Sequence, residues 1–124
     1  MGELIVMRIK DVASVLNADI LCRSDLAETE VKSACGSDMM SDVLAYVKDH
    51  AVLLTGLVNP QVVRTAEMMD MKCIVFVRGK NPGEQIISLA EEAGIVLMRS
   101  SYRMYTSCGL LYASGLKNEG NDTV

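Results

Sequence analysis

Apolar residues along this chain fall into two alternating patterns, short unbroken runs and stripes spaced three or four residues apart. Ala51-Val52-Leu53-Leu54-Thr55 is a run, followed by Gly56-Leu57-Val58-Asn59-Pro60. Val62, Val63, Ala66 and Met69 then recur at helical spacing. Asn59 suits an N-cap, and Pro60 at the first helical position gives up only an N–H with no intrahelical partner. The unit repeats. Ile74-Val75-Phe76-Val77 is the next run, then Arg78-Gly79-Lys80-Asn81-Pro82, then Ile86, Leu89, Ala90 and Ala93 at helical spacing. Asn81 with Glu84 resembles a capping box, and Gly94 suits the position just past the helix. A third unit runs Ile95-Val96-Leu97-Met98, Arg99-Ser100-Ser101, then a helix with Met104, Cys108 and Leu111 on one face, ending near Gly115.

The first half is less regular. A short helix is predicted from Ile9 to Asn17, a strand from Asp19 to Cys22, and another from Val31 to Cys35 after a polar loop. Met40, Val43, Leu44 and Val47 form one helical stripe, which Ser37 or Asp38 can cap. Unbroken apolar strands alternating with helices indicate crossovers and a parallel sheet buried on both faces. The expected fold is a three-layer α/β/α domain with a mainly parallel sheet. At 124 residues one domain is expected, over 1–116, with a polar, flexible tail over 117–124.

Composition narrows the function. A net charge of −4 and a pI near 4.9 argue against nucleic acid or an anionic membrane as partner. No stretch approaches the ~20 apolar residues of a bilayer span, and the N-terminus lacks a basic region with a signal-length apolar core. A cytoplasmic location follows as the expectation. The four cysteines (Cys22, Cys35, Cys73, Cys108) form no C-x-x-C pair, and the one histidine, His50, lies far from them in sequence. That spacing supports no zinc or cluster site, and the cysteines read as reduced thiols, with Cys35 the one to test for reactivity. No P-loop or dinucleotide fingerprint is present, and no nucleophile–base pair can be drawn, so no catalytic residue and no cofactor is predicted.

What remains is the carboxyl edge of the sheet, where parallel α/β proteins bind ligands beside helix N-termini. The loops expected there carry Thr55, Gly56 and Asn59, then Arg78, Gly79 and Lys80, then Arg99, Ser100 and Ser101. Basic side chains, hydroxyl and amide groups and glycines at neighbouring strand ends suit a phosphate or carboxylate. Nine methionines are many for this length. They read as core filler or as an adaptable surface, and with open sheet edges they point to a homo-oligomer, a dimer first.

The segment Ala34-Cys35-Gly36-Ser37-Asp38-Met39-Met40-Ser41-Asp42-Val43-Leu44-Ala45, with Leu53-Leu54-Thr55-Gly56 and Val77-Arg78-Gly79-Lys80-Asn81-Pro82, resembles the DRTGG domain. It is also similar to the N-terminal domain of HPr kinase/phosphorylase, as is Glu91 to Ser101. The resemblance spans roughly 7–116. Thr55-Gly56 and Arg78-Gly79 stand near where the family has its Asp-Arg and Thr-Gly-Gly pieces, and the name-giving motif is not intact. The resemblance implies a fold like the HPr kinase and Mur ligase N-terminal domains, and a non-catalytic regulatory or assembly role. In larger family members the domain accompanies catalytic or nucleotide-sensing CBS domains, and this chain looks like a stand-alone copy. Similar copies are often encoded beside iron hydrogenase and NADH-dehydrogenase-like subunits, which implies a redox-enzyme or kinase-like protein partner. The expectation is therefore a self-associating regulatory domain sensing a small anionic ligand. The alternative is a structural interaction module for such a redox complex.

Overall fold

The structure is a computed structural model that describes residues 6–45 and 50–117. Four parallel strands, β4 (Ser33–Gly36), β5 (Ala51–Thr55), β6 (Cys73–Phe76) and β7 (Val96–Arg99), lie side by side in chain order. β2 (Asp19–Cys22) adds antiparallel to β7, with an irregular register between Ile20 and Cys22. The sheet order is β2-β7-β6-β5-β4. The helices α2 (Met40–Leu44), α3 (Pro60–Met68) and α4 (Glu84–Ala93) cover one face, and α1 (Ile9–Val15) and α5 (Met104–Ala113) cover the other.

The unbroken apolar runs are explained by this layering. Val52, Leu54, Val75, Val96 and Met98 face α1 and α5, whereas Leu53, Ile74, Phe76 and Leu97 face α2, α3 and α4. Every residue of β5 and β6 is buried, so neither strand can alternate with polar residues. Fully burying an aliphatic or aromatic side chain of this kind stabilises by ~1.5–3 kcal/mol. The expected α/β layering with a mainly parallel sheet is what the structure shows.

Local details depart from the sequence reading in three places. The strand expected over Val31 to Cys35 is two strands: β3 (Glu30–Val31) pairs antiparallel with β1 (Met7–Arg8) in a separate ribbon, and β4 belongs to the main sheet. The break falls at Lys32, which is exposed and donates its N–H to the His50 carbonyl. Neither Ser37 nor Asp38 caps α2. Met39 holds that position without a side-chain cap, Asp38 bonds elsewhere, and Val47 of the predicted stripe lies outside the described residues. Asn81 does not cap α4 either. Its side chain accepts the Gly83 N–H at 3.1 Å, and the helix starts two residues later than expected, with Gly83 at the N-cap.

Other termini follow their local chemistry. Asn59 caps α3 by accepting the Gln61 N–H at 2.7 Å, with Pro60 as the first helical residue. Gly94 ends α4 in the left-handed region at φ 73, a conformation that costs glycine little. The Arg23 guanidinium donates to the Glu91 carbonyl in the last turn of α4 and grips Asp25, holding that exposed carboxyl below its ordinary range. Of the methionines, Met7, Met71 and Met98 are core, while Met39 and Met68 are 61% and 71% exposed. They divide between core and surface. Among the described residues no helix is long and apolar enough to cross a membrane.

Candidate functional site

Parallel register brings the strand ends together. Gly36 pairs with Leu54, Thr55 with Phe76, and Phe76 with Arg99, so the loops after β4, β5, β6 and β7 emerge side by side. Backbone bonds continue the ladder past the strands: Ser37 N–H to Leu54 carbonyl, Val77 to Thr55, and Ser100 to Phe76. The β6–α4 loop is further pinned by Arg78 and Gly79 N–H groups donating to the Tyr102 and Ser100 carbonyls, each at 2.7 Å.

At the centre lies a residue the sequence reading took for a helix cap. Asp38 Oδ1 accepts the Gly56 N–H at 2.6 Å and the Thr55 hydroxyl at 3.2 Å. Thr55 is fully buried, and its hydroxyl in turn accepts the Leu57 N–H at 3.1 Å. A carboxylate therefore sits where the β5–α3 loop offers a backbone donor. Charge-assisted bonds of this kind are about twice as strong as neutral ones. No local spacing marks Asp38, because its partners are 17 and 18 residues away. The one sequence signal was its place in the Gly36-Ser37-Asp38 segment.

Arg78 approaches the same loop from β6. It adopts φ +64 and Gly79 φ +67, two consecutive left-handed residues in a tight turn closed by Lys80 N–H to Val77 carbonyl at 3.4 Å. This turn carries the Arg78 guanidinium onto Gly56, where a side chain at position 56 would collide with it. Gly56 itself has no left-handed φ, so what glycine provides there is room for the guanidinium in this position. Among the described residues Arg78 and Lys80 make no ion pair, and both are exposed. Asp38, Thr55, Gly56 and Arg78, dispersed over 41 positions of sequence (38 to 78), thus meet at one spot.

The other candidates divide. Gly79 and Ser101 are neighbours, with the Ser101 Cα about 4.0 Å from where a Gly79 side chain would begin. Lys80 is exposed on the same turn. Asn59 is engaged as the α3 cap. Ser100 is buried, donates to the Leu16 carbonyl at 2.8 Å and accepts the Tyr102 N–H at 3.3 Å, bracing α1 against the loop. Arg99 turns to the sheet edge and meets Asp19 at 3.4 Å across the β2–β7 pair.

Burial pushes Cys22, Cys73 and Cys108 above the ordinary thiol pKa, which makes them poor nucleophiles. Cys22 also donates its S–H to the Ile95 carbonyl at 3.5 Å. Cys108 lies against Gly36, and Cys35 is half-buried on β4.

Comparison with known proteins agrees with this architecture. No curated protein matches the chain significantly. Among solved structures it is similar to the crystal structure of the CBS and DRTGG domains of the regulatory region of Clostridium perfringens pyrophosphatase, complexed with its activator, diadenosine tetraphosphate. The TM-score is 0.69 at 13% identity, over 84% of this chain and 45% of that one, so the present chain spans less than half the length of that relative. The family model for the DRTGG domain matches residues 11–114, and the chain belongs to the DRTGG domain family.

Proposed function

We propose that this chain is a non-catalytic regulatory domain that senses a small phosphate-bearing ligand at the carboxyl ends of β4 to β7, and that it self-associates. One observation carries the ligand reading: Asp38, Thr55, Gly56 and Arg78 converge, so that a carboxylate already occupies donors of the β5–α3 loop beside a guanidinium that makes no ion pair among the described residues. An incoming anion has two ways to gain. It can pair with Arg78 in place of water, and it can take the Gly56 N–H from Asp38, releasing the segment that leads into α2. The second route links occupancy to conformation, which is what a sensing domain requires. Gly79, Lys80 and Ser101 border the same spot and would extend the contact toward a second phosphate.

Two findings support a regulatory reading. The chain belongs to the DRTGG family, and the similar solved structure is a regulatory region bound to a nucleotide activator. Diadenosine tetraphosphate is therefore the first probe to use, with ATP, a sugar phosphate, an acyl phosphate and inorganic phosphate beside it. In a thermal-shift screen at least one of these raises the melting temperature, and Arg78→Ala removes the rise. No shift with any probe, or a shift that survives Arg78→Ala, contradicts the proposal.

A further inference from the structure

Asp38 is held against its own local preference. Aspartate is among the strongest N-caps, and the apolar stripe that becomes α2 follows directly. Yet Met39, one residue further on, holds the N-cap position with φ −111, ψ 113 and no side-chain cap. The Met40 and Ser41 N–H groups, which a cap at position 38 would bond, have no acceptor among the described residues. The carboxylate reaches across to the next loop instead. Its Oδ1 accepts the Gly56 N–H at 2.6 Å and the Thr55 hydroxyl at 3.2 Å, while Oδ2 has no donor among the described residues. A distant bond made while the adjacent helix stays uncapped sets tertiary against local preference, and such conflicts concentrate at functional positions.

What this carboxylate occupies is what an anion would use. One oxygen holding a backbone N–H and a hydroxyl, with the Arg78 guanidinium against Gly56, is an arrangement that suits a phosphate oxygen equally well. Two anions cannot share those donors, and like charges placed there repel. Entry of a ligand therefore requires Asp38 to leave, and α2 offers it a second place. Turning Met39 from extended to helical backbone makes Asp38 the N-cap, with its carboxylate on the free Met40 or Ser41 N–H. Little resists that turn: Met39 is 61% exposed, and its N–H is held by an exposed bond to Ser37 Oγ at 3.0 Å. Upstream, the Ser37 N–H stays anchored on the Leu54 carbonyl at 3.0 Å, which confines the change to residues 38 and 39.

We infer that Asp38 is an autoinhibitory latch with two seats. On Gly56 and Thr55 it closes the phosphate position; on the N-terminus of α2 it leaves that position open and the helix capped. This rests on the proposed ligand reading and states how that site is regulated. One carboxylate then couples ligand and helix: an anion on Gly56 favours the longer, capped α2, and whatever stabilises that helix favours the anion by the same factor.

Calorimetric titration of the full chain with diadenosine tetraphosphate, ATP and inorganic phosphate compares the wild type with two variants. Asp38→Ala, freed of the internal competitor, binds at least ~3-fold tighter. Asp42→Ala removes a carboxylate of the same helix that has no bond to Gly56, and it keeps wild-type affinity. Amide exchange of the ligand-free chain gives an independent reading. Thr55→Val takes one donor from the closed seat and tips Asp38 toward α2, so Met40 and Ser41 exchange more slowly than in the wild type although the fold as a whole is weakened. Adding Asp38→Ala to Thr55→Val abolishes that slowing. Equal or weaker binding by Asp38→Ala, or no slowing in Thr55→Val, overturns the latch and leaves the ligand reading standing. If no probe binds either the wild type or Asp38→Ala, the ligand reading falls and the latch with it.

Discussion

The β5–α3 and β6–α4 loops each carry an Asn-Pro pair, 22 positions apart, and they use it differently. After β5 the chain crosses residues 56–59 directly into α3, with Asn59 bonded to the helix it starts. After β6 it takes the longer path 77–83, in which the left-handed Arg78-Gly79 turn comes first and Asn81 only orders the approach to Gly83. The short loop presents a backbone donor and a hydroxyl held rigid by the sheet. The long loop reaches back with a guanidinium. A repeated motif thus marks two different halves of the proposed site, one fixed and one reaching.

Substitutions can separate these roles. The largest effect belongs to Thr55→Val, which leaves the Leu57 N–H and Asp38 without their shared buried partner and costs about 1–3 kcal/mol in urea denaturation. A neutral result would mean the Asp38–Thr55 bond contributes nothing to the fixed half. Next, Asn59→Ala costs about 1 kcal/mol through loss of a helix cap. Asn81→Ala costs about half of that or less, because its bond orders a turn outside the helix. Equal losses would show that the two pairs are equivalent after all.

Arg78 offers a sharper contrast. At φ +64 a glycine is at home and an alanine is not, so Arg78→Gly should be about 1 kcal/mol more stable than Arg78→Ala. Both variants lose the response to phosphate-bearing probes. If the two variants are equally stable, the turn is not held left-handed in solution. The smallest stability effect is expected for Gly56→Ala. The added methyl meets the far end of a flexible guanidinium, which can swing aside at a cost of a few tenths of a kcal/mol. The ligand response should nevertheless fall as it does without Arg78.

The layers were readable because burial on both faces leaves strands with nowhere to put a polar residue. Ile74, Val75 and Phe76 announce β6 by that fact alone. Two-residue strands such as β1 and β3 carry no period, and Lys32 between β3 and β4 looks like any polar residue in a strand. The start of α4 was misread because Asn81-Pro82 mimics Asn59-Pro60, and only the path of the chain distinguishes an Asx turn from a cap. Of the cluster proposed as the site, Thr55, Gly56 and Arg78 were legible as strand-end residues. Asp38 was not, since its bonds to Thr55 and Gly56 depend on tertiary register and on no spacing along the chain.

The central claim is that a phosphate-bearing ligand engages the fixed and reaching loops together. Amide chemical-shift mapping of the labelled chain during titration with diadenosine tetraphosphate tests it most directly. The account predicts saturable shifts at Gly56, Arg78 and Gly79, accompanied by the amide of Asp38. Shifts absent at saturating probe, or confined to residues away from the ends of β4 to β7, would contradict it.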